Sequence, residues 1–295
     1  MKTSASVRTV VPTLALALAA SAACAGVTSI DLSQYQLAGQ FPLPSAASEA
    51  SAVTFNWDTG TLFVLGDEGD AVVEVSTTGV QLSVMSLSGF DDTEGLTYTG
   101  GGQFVITEER LQDAYQFTYT GGGNAVRNTL PTASLGPTVG NIGIEGISYD
   151  PANGHFIAVK EKSPQQVLDV QIDFNASSAT VADLFVPALG VLDLSDVQVL
   201  GTVPSLVGTP DGDNLLVYSQ ESSLLMEVTR AGVILSTFNF AALAGDAEGV
   251  TIDSNGVIYV VGEAPEMFVL VPVPAPGAMA LLAVAGLTGA RRRRR

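Results

Sequence analysis

The chain has 295 residues, of which 30 are acidic, 12 are basic and one is histidine, and its formal charge at pH 7 is −18. A surface this acidic repels nucleic acid and anionic lipid headgroups, which excludes a protein that binds either one through a basic patch. The charge suits divalent cations or basic partners, although solubility and self-repulsion outside the cell would explain it without any ligand.

Residues 1–25 have the pattern of a secretory signal peptide. A basic start precedes an apolar run over residues 10–20, and the small residues at 23–25 match the site that signal peptidase accepts. We therefore expect an exported protein whose mature chain begins near Gly26.

Cys24 is the single cysteine of the chain. It offers an alternative lipoprotein reading, but Ser21 stands where an aliphatic residue is expected for acylation. With Cys24 removed, the mature domain has neither disulfides nor thiolate ligands. His155 follows the turn sequence "DPANG" and is expected to be a surface residue, so zinc and copper sites are not predicted.

Five similar units follow one another between residues 26 and 271. Each opens with an acidic residue and a strand-like run, continues through a turn rich in Gly, Asn or Asp, and ends in a second strand-like run. The period of about fifty residues is typical of one four-stranded propeller blade per unit. The sequence therefore predicts an all-β, five-bladed β-propeller. The acidic residues that open the units are Glu49, Glu94, Glu145, Asp196 and Glu248.

The ring has to close, because an open propeller exposes two sheet edges. The fifth unit ends near Val271, before a full blade is complete. Residues 27–43 have strand character and precede the first unit, so we expect them to supply the outer strand of the last blade.

Residues 272–295 form a tail of three parts. A Pro-rich stretch precedes an apolar run over residues 277–290, and five arginines end the chain. The run is short for a membrane crossing, which needs about 20 residues. This arrangement resembles the PEP-CTERM sorting signal of Gram-negative bacteria, although Pro-Ala-Pro replaces the usual Pro-Glu-Pro. The resemblance implies transient membrane association and release to the cell surface or the extracellular space, and a plain membrane anchor is the alternative.

The unit sequences in order, among them "GFDDTEGLTYTGGGQFVITEER", "GIEGISYDPANGHFIAVKEKSP" and "AEGVTIDSNGVIYVVGEAPEMFVL", resemble the SdiA-regulated, or YjiK-like, family over most of the chain. That resemblance implies a five-bladed propeller distantly similar to NHL-repeat propellers, and a bound calcium ion. It implies no established biochemical activity.

Equivalent residues of successive blades form rings about the propeller axis, so the recurring carboxylates are candidate metal ligands. Gly95, Gly146 and Gly249 follow the best candidates and suggest close backbone approach between blades. Calcium suits a set of oxygen-only ligands and is plentiful outside cells. The predicted ligands are Glu94, Glu145 and Glu248, with Glu49 and Asp196 as looser equivalents, and a second set that closes the next run, Asp67, Glu108, Glu161 and Glu263, with Gln220 in the fourth unit.

Other interpretations of these carboxylates remain open. A glutamate at a strand start can instead accept hydrogen bonds from backbone N–H groups of the adjacent blade, and Asp91, Asp92, Glu109 and Arg110 are expected at the rim. We expect a non-enzymatic module that binds an extracellular polymer or a surface protein, or a passive matrix component. The alternative is a metal-dependent lactonase or esterase with Glu108 or Glu263 as base.

Overall fold

The structure is a computed structural model that describes residues 27–68 and 70–273. The predicted signal peptide and residues 274–295 of the predicted tail lie outside these residues. Within them the helical segments are 3-10 turns of three or four residues, and the remaining regular structure is β-strand. No helix in the described part of the chain has both the length and the apolar character needed to cross a membrane.

Twenty-one strands account for the fold in the described ranges. The first eleven are β1 (Tyr35–Pro42), β2 (Ala50–Asn56), β3 (Thr61–Gly66), β4 (Ala71–Val75), β5 (Gln81–Ser88), β6 (Thr93–Gly100), β7 (Gln103–Glu108), β8 (Asp113–Thr118), β9 (Asn124–Val126), β10 (Thr132–Ser134) and β11 (Ile144–Asp150). The others are β12 (His155–Lys160), β13 (Gln166–Asp173), β14 (Ser178–Phe185), β15 (Asp196–Val199), β16 (Leu215–Ser219), β17 (Leu224–Val228), β18 (Ile234–Asn239), β19 (Ala247–Ile252), β20 (Ile258–Gly262) and β21 (Glu266–Pro272).

The strands form five sheets, one for each predicted unit, and the five-bladed propeller is confirmed. From the axis outward, blade 1 has the order β2-β3-β4-β5-β9, blade 2 has β6-β7-β8-β10, blade 3 has β11-β12-β13-β14, blade 4 has β15-β16-β17-β18, and blade 5 has β19-β20-β21-β1. Blade 1 has one strand more than expected, because β9 leaves blade 2 and pairs in parallel with β5. This added strand covers an edge that would otherwise be exposed.

Closure of the ring follows the prediction. β1 pairs antiparallel with β21 as the outermost strand of blade 5, with Tyr35 opposite Pro272. The N-terminal and C-terminal ends of the described chain therefore hold one sheet together, and Val273 N donates to Gln34 O at 2.7 Å. Both ends lie at the face of the propeller where β19 ends, opposite the face where the innermost strands begin.

The apolar core lies between the blades. Five clusters of buried side chains each join two neighbouring blades, such as Leu216 and Phe240 of blade 4 with Val250 and Phe268 of blade 5. Alternate residues of each strand face the two adjacent sheets, so both faces of a blade are apolar. Burial of these side chains is the main term that holds the ring closed.

A belt of polar side chains joins the innermost strands around the axis. Thr54 Oγ1 accepts from Tyr98 N at 3.1 Å, and Thr97 Oγ1 accepts from Tyr149 N at 2.9 Å. The belt continues through the same position of the other three blades, which is Ser148, Gln198 and Thr251. Ser148 Oγ accepts from Val199 N. Thr251 Oγ1 donates to Gln198 Oε1 and accepts from Phe55 N. The belt fixes the angular position of each blade and thereby of the residues that begin its inner strand.

Candidate functional site

An acidic cavity lies at the axis, at the face where the innermost strands begin. It has a volume of about 290 Å³. Eight of its twelve lining residues are carboxylates and Arg110 is the basic one; the twelve are Asp67, Asp92, Glu94, Arg110, Asn141, Glu145, Glu161, Asp193, Ser195, Gln220, Glu248 and Glu263. Six of the nine predicted ligands are thus brought together: Asp67, Glu94, Glu145, Glu161, Glu248 and Glu263.

The inner ring of the cavity comes from the first residues of the innermost strands. Glu94, Glu145 and Glu248 each sit at a β-bulge, where the pairing register shifts between the preceding residue and the glycine that follows. The bulge leaves the glutamate out of the regular pairing and turns it toward the axis. The strand registers place Ser51 and Ser195 at the equivalent positions of blades 1 and 4.

The glycines after these glutamates are required by close packing between blades, as predicted. A Cβ on Gly146 would lie 2.6 Å from Asp196 Cα of blade 4, and one on Gly249 would lie 2.8 Å from Ser51 O of blade 1. Because backbone atoms of the adjacent blade lie this close, a side chain at either position would force the blades apart.

The outer ring comes from the residues that follow the second strand of each blade. By strand register these are Asp67, Glu109, Glu161, Gln220 and Glu263. The predicted member in blade 2 was Glu108, which is wrong by one residue. Glu109 is 0% exposed rather than a rim residue.

Three carboxylates on the wall between blades 2 and 3 have the spacing of metal ligands. Glu109, Glu145 and Glu161 each offer an oxygen within 4.8 Å of the other two, and we call them the wall trio. Glu109 Oε1 accepts from Gly143 N at 2.7 Å, while Glu109 Oε2 is buried without a hydrogen-bond partner. Glu161 Oε1 lies 2.5 Å from Lys162 Nζ, and Glu161 Oε2 is also buried without a partner.

Burial and mutual repulsion raise the pKa values of these carboxyl groups. Burial raises the pKa of Glu109 to about 7; the hydrogen bond from Gly143 N opposes this increase, and Asp92 adds to it. The pKa of Glu145 lies well above its usual range, first through burial and then through the charges of Glu94 and Glu109. Cation binding or protonation would relieve this repulsion.

The other side of the cavity shows the same electrostatics. Burial and then the charge of Glu248 raise the pKa of Glu94 well above its usual range. Burial raises the pKa of Glu248 to about 8, with the charge of Glu263 as the next cause. Gln220 Nε2 donates to Glu248 Oε1 at 2.5 Å, so blade 4 contributes a neutral donor where other blades contribute a carboxylate.

Glu108 lies away from the cavity. It is 1% exposed, and its Oε2 lies 2.6 Å from an Arg127 guanidinium nitrogen. Its Oε1 accepts from Asp91 N at 2.9 Å, and Tyr115 Oη donates to Oε2 at 3.4 Å. Arg127, Tyr115 and the backbone of Asp91 engage its two oxygens and Glu108 does not line the cavity, so it is neither a ligand of the cavity nor placed to act as its base.

Asp196 and Glu49 also differ from the prediction. Asp196 occupies the glycine position of blade 4, where its Oδ2 accepts from Val250 N at 2.7 Å and its Oδ1 accepts from Val197 N at 2.7 Å. This is the bridging role between blades that the sequence left open for each carboxylate. Glu49 is exposed at the mouth with a positive φ of 51°, beside Asp67 and Glu68, and does not line the cavity.

Loop residues complete the cavity, and no repeat in the sequence predicted them. Asp92 was expected at the rim but is 6% exposed, with Oδ1 3.0 Å from Arg110 and Oδ2 without a partner. Asp193 is 1% exposed and accepts hydrogen bonds from the Ser219 hydroxyl and from Glu221 N. His155 lies outside the cavity lining, where its Nδ1 is 2.8 Å from Asp169 Oδ1.

The family model described as SdiA-regulated matches residues 27–272 of this chain. The chain belongs to the SdiA-regulated family. The match spans all five blades and the closing strand.

Solved structures similar to this SdiA-regulated protein are distant in sequence. Glutaminyl cyclase of Myxococcus xanthus has 12% identity and a TM-score of 0.50, over 80% of this chain and 95% of that one. The WD40 propeller domain of Doa1 has 10% identity and a TM-score of 0.48, over 80% and 96%. Virginiamycin B lyase from Staphylococcus aureus has 12% identity and a TM-score of 0.43, over 78% and 68%. At these identities the first similarity shows the fold alone.

Proposed function

We propose that this SdiA-regulated protein is a calcium-binding propeller whose ion is held by the wall trio, Glu109, Glu145 and Glu161. The observation that carries the proposal is Glu109, a fully buried glutamate whose Oε2 has no partner and which offers an oxygen within ligand spacing of two further carboxylates. An unpaired buried oxygen of this kind is costly, and a cation between the three groups would satisfy it.

The chemistry of the donors fits calcium. The trio and the groups around it offer oxygen ligands, most of them carboxylates, with neither thiolate nor imidazole among the residues that line the cavity. Calcium accepts such ligands at 2.3–2.6 Å in flexible geometry and completes its coordination with water, for which the cavity has room. Bound there, the cation would supply positive charge that neutralises the facing carboxylates.

The residues of the chain have separable tasks in this proposal. Gly143 N fixes one oxygen of Glu109, and Lys162 fixes one oxygen of Glu161, so the remaining buried oxygen of each is left to bind the cation. Glu145 comes from the innermost strand of blade 3, whereas Glu109 follows the second strand of blade 2. A cation shared by the three would tie these two blades together at the axis.

The placement of the cavity supports a binding module at the cell surface or in the extracellular matrix. The chain enters β1 and leaves β21 at the face opposite the cavity. An anchor that followed β21 would therefore leave the cavity directed away from the membrane, free to meet a polymer or a surface protein. Export through the signal peptide and the sorting tail belongs to the same proposal.

Calcium titration of the purified domain tests the metal. We expect saturable binding by isothermal titration calorimetry and a higher melting temperature in calcium than in chelator. A ligand at about 100 times its Kd stabilises the native state by about 2.7 kcal/mol. For a domain of this size that corresponds to about 5–11 °C in melting temperature.

Glu109→Gln should remove the calorimetric signal of the wall trio, while Glu74→Gln should leave it intact. Glu74 is a matched control because it is a partly buried glutamate that accepts hydrogen bonds from Thr61 and Ser83, outside the cavity. Equal melting temperatures in calcium and chelator, without binding heat, would refute the calcium proposal and leave a passive matrix component. The hydrolase alternative stays a prediction that no contact in the described residues favours.

A further inference from the structure

A groove lies between the outer strands of blades 2 and 3, away from the propeller axis. Its volume of about 540 Å³ is within the range of ligand sites in proteins. Gln116 of β8 contributes to it from blade 2, and the hairpin of β13 and β14, residues 171–180, contributes from blade 3. We call it the hairpin groove. It shares no lining residue with the axial cavity and includes none of the wall trio, so it is separate from the proposed calcium site.

The hairpin supplies the apolar part of the groove. Ile172, Phe174 and Ala179 are half-buried side chains that pack against the core between blades 2 and 3 and also line the groove. Part of each side chain, including the Phe174 ring, is therefore accessible to a ligand. An aromatic ring has a negative face, which attracts the slightly positive C–H groups of a ligand that lies against it.

A pair of polar side chains in the groove is left without a hydrogen bond. Gln171 of β13 lies opposite Thr180 of β14, and both are exposed. The same pair of residue types occurs in blade 2, where Gln103 lies opposite Thr118 and its Nε2 donates to the Thr118 hydroxyl at 2.6 Å. In the part of the chain that the structure describes, Gln171 and Thr180 bond neither to each other nor to another side chain. Their donors and acceptors are therefore free to bind a ligand.

Two further amides complete the polar lining. Gln116 is half-buried, and Asn175 is exposed at the turn of the hairpin. Asp173 Oδ1 accepts from Asn175 N at 2.9 Å and from Ala176 N at 3.0 Å, so it fixes the turn that carries Asn175. Within the described residues, neither side-chain amide has a hydrogen-bond partner. The groove thus presents three free amides beside an apolar surface.

The charge of the groove indicates which class of ligand it suits. Among the described residues that line it, Asp173 is the single charged one. An acidic polymer would meet no basic side chain there, on a chain whose net charge is −18. A basic polymer would be drawn to the acidic cavity instead. Amides and hydroxyls both donate and accept hydrogen bonds, which matches the neighbouring hydroxyl groups of an uncharged sugar.

We propose that the hairpin groove binds a neutral polysaccharide. The amides of Gln116, Gln171 and Asn175 bond to sugar hydroxyls, and Phe174 lies against the C–H groups of a sugar ring. This inference rests on the proposed function, because it names the polymer that a surface or matrix module would bind. The groove is on the perimeter of the ring and the cavity is on the axis, so a bound polymer leaves the calcium site open.

Affinity electrophoresis of the purified domain tests the site, with mobility compared between gels with and without polymer. The neutral polymers are starch, mannan, hydroxyethyl cellulose and β-glucan, and polygalacturonate is the acidic one. We expect at least one neutral polymer to retard the wild type. The double variant Gln171→Ala, Asn175→Ala should raise the apparent Kd about tenfold or more, because it removes two hydrogen-bonding groups. Gln81→Ala is the matched control, since Gln81 is an exposed strand glutamine of blade 1, outside the groove.

The outcomes separate this inference from the calcium proposal. A wild type that no neutral polymer retards overturns the groove as a polysaccharide site, and so does retardation that the double variant keeps or that polygalacturonate alone produces. Calcium titration is the independent measurement: the double variant should bind calcium as the wild type does, and Glu109→Gln should be retarded as the wild type is. Calcium binding without retardation leaves only the metal site, and retardation without calcium binding leaves only the groove. The melting temperature of the double variant should equal that of the wild type, because both side chains are exposed.

Discussion

Glu109→Gln should make the protein more stable in chelator at pH 8 and should abolish its stabilisation by calcium. Gln keeps the acceptor oxygen that Gly143 N uses, and it places a neutral amide where the wild type has a buried carboxylate beside Asp92 and Glu145. In chelator the variant should therefore be more stable than the wild type, whereas in calcium it should lack the stabilisation that the wild type gains.

The magnitude follows from proton linkage. Burial raises the pKa of Glu109 from 4.5 to about 7, so the folded protein holds this proton more strongly than the unfolded chain. Such a group contributes stability below its unfolded pKa, and that contribution is lost as pH rises through the folded pKa. At pH 8 the metal-free wild type lacks about 3 kcal/mol that the neutral Gln variant retains, an upper value because its neighbours titrate with it.

Thermal melting at several pH values, with chelator or with calcium, measures both effects. About 3 kcal/mol corresponds to roughly 6–12 °C for a domain of this size. The variant should melt higher than the wild type in chelator at pH 8, and this advantage should shrink near pH 5. Glu74→Gln should show neither effect. A variant that is no more stable than the wild type in chelator at pH 8, or that gains as much from calcium, would refute the reasoning about Glu109.

Three further variants test the architecture around the cavity. Arg127→Ala should lower the free energy of unfolding by about 3 kcal/mol, because Glu108 stays buried without its partner, and calorimetry should find calcium binding unchanged. Gly146→Ala should cost about 2–3 kcal/mol in urea unfolding, since its Cβ would lie 2.6 Å from Asp196 Cα. Deletion of residues 27–42 should leave the edge of β21 unpaired and yield aggregated protein on size-exclusion chromatography.

The fold could be predicted because the sequence repeat marks each blade of the propeller. A period near fifty residues, paired strand runs and turn residues between them are sufficient for five blades, and the strand character of residues 27–43 is sufficient for the closing strand. The fifth strand of blade 1, β9, could not be predicted from the sequence. β9 has three residues and pairs across a blade boundary, so no local pattern distinguishes it from a loop.

Two positions of the inner ring, in blades 1 and 4, were predicted one or two residues away from where the structure places them, and these two errors have a common cause. Each inner glutamate sits at a bulge and was identified in the sequence by the glycine that follows it. Blades 1 and 4 lack the Glu-Gly pair, so their inner-ring residues were assigned to the wrong positions. The axial position three residues later is a better reference: Thr97 follows Glu94 in the same way that Thr54 follows Ser51. Alignment on that polar residue would have chosen Ser51 rather than Glu49.

Blade 2 posed a different ambiguity. The run "ITEER" offers two adjacent glutamates, and side chains of successive strand residues point to opposite faces. A difference of one residue therefore decides between Glu108, which pairs with Arg127, and Glu109, which belongs to the wall trio. Because both residues are glutamates, residue type alone does not indicate which of them pairs with Arg127. Asp92 and Asp193 come from loops that share no period, so only the assembled ring brings them to the axis.

The departures from five-fold symmetry distribute the carboxylates of the two rings unevenly among the blades. Blade 4 contributes the neutral residues Ser195 and Gln220, and blade 1 contributes Ser51 to the inner ring. Blades 2 and 3 are neighbours that each keep a carboxylate at both ring positions, and the wall trio is drawn from these two blades. Blade 5 also keeps both carboxylates, but its neighbours, blades 4 and 1, have serine in the inner ring. The loss of symmetry at three positions therefore accounts for the place where three carboxylates come within ligand spacing of one another.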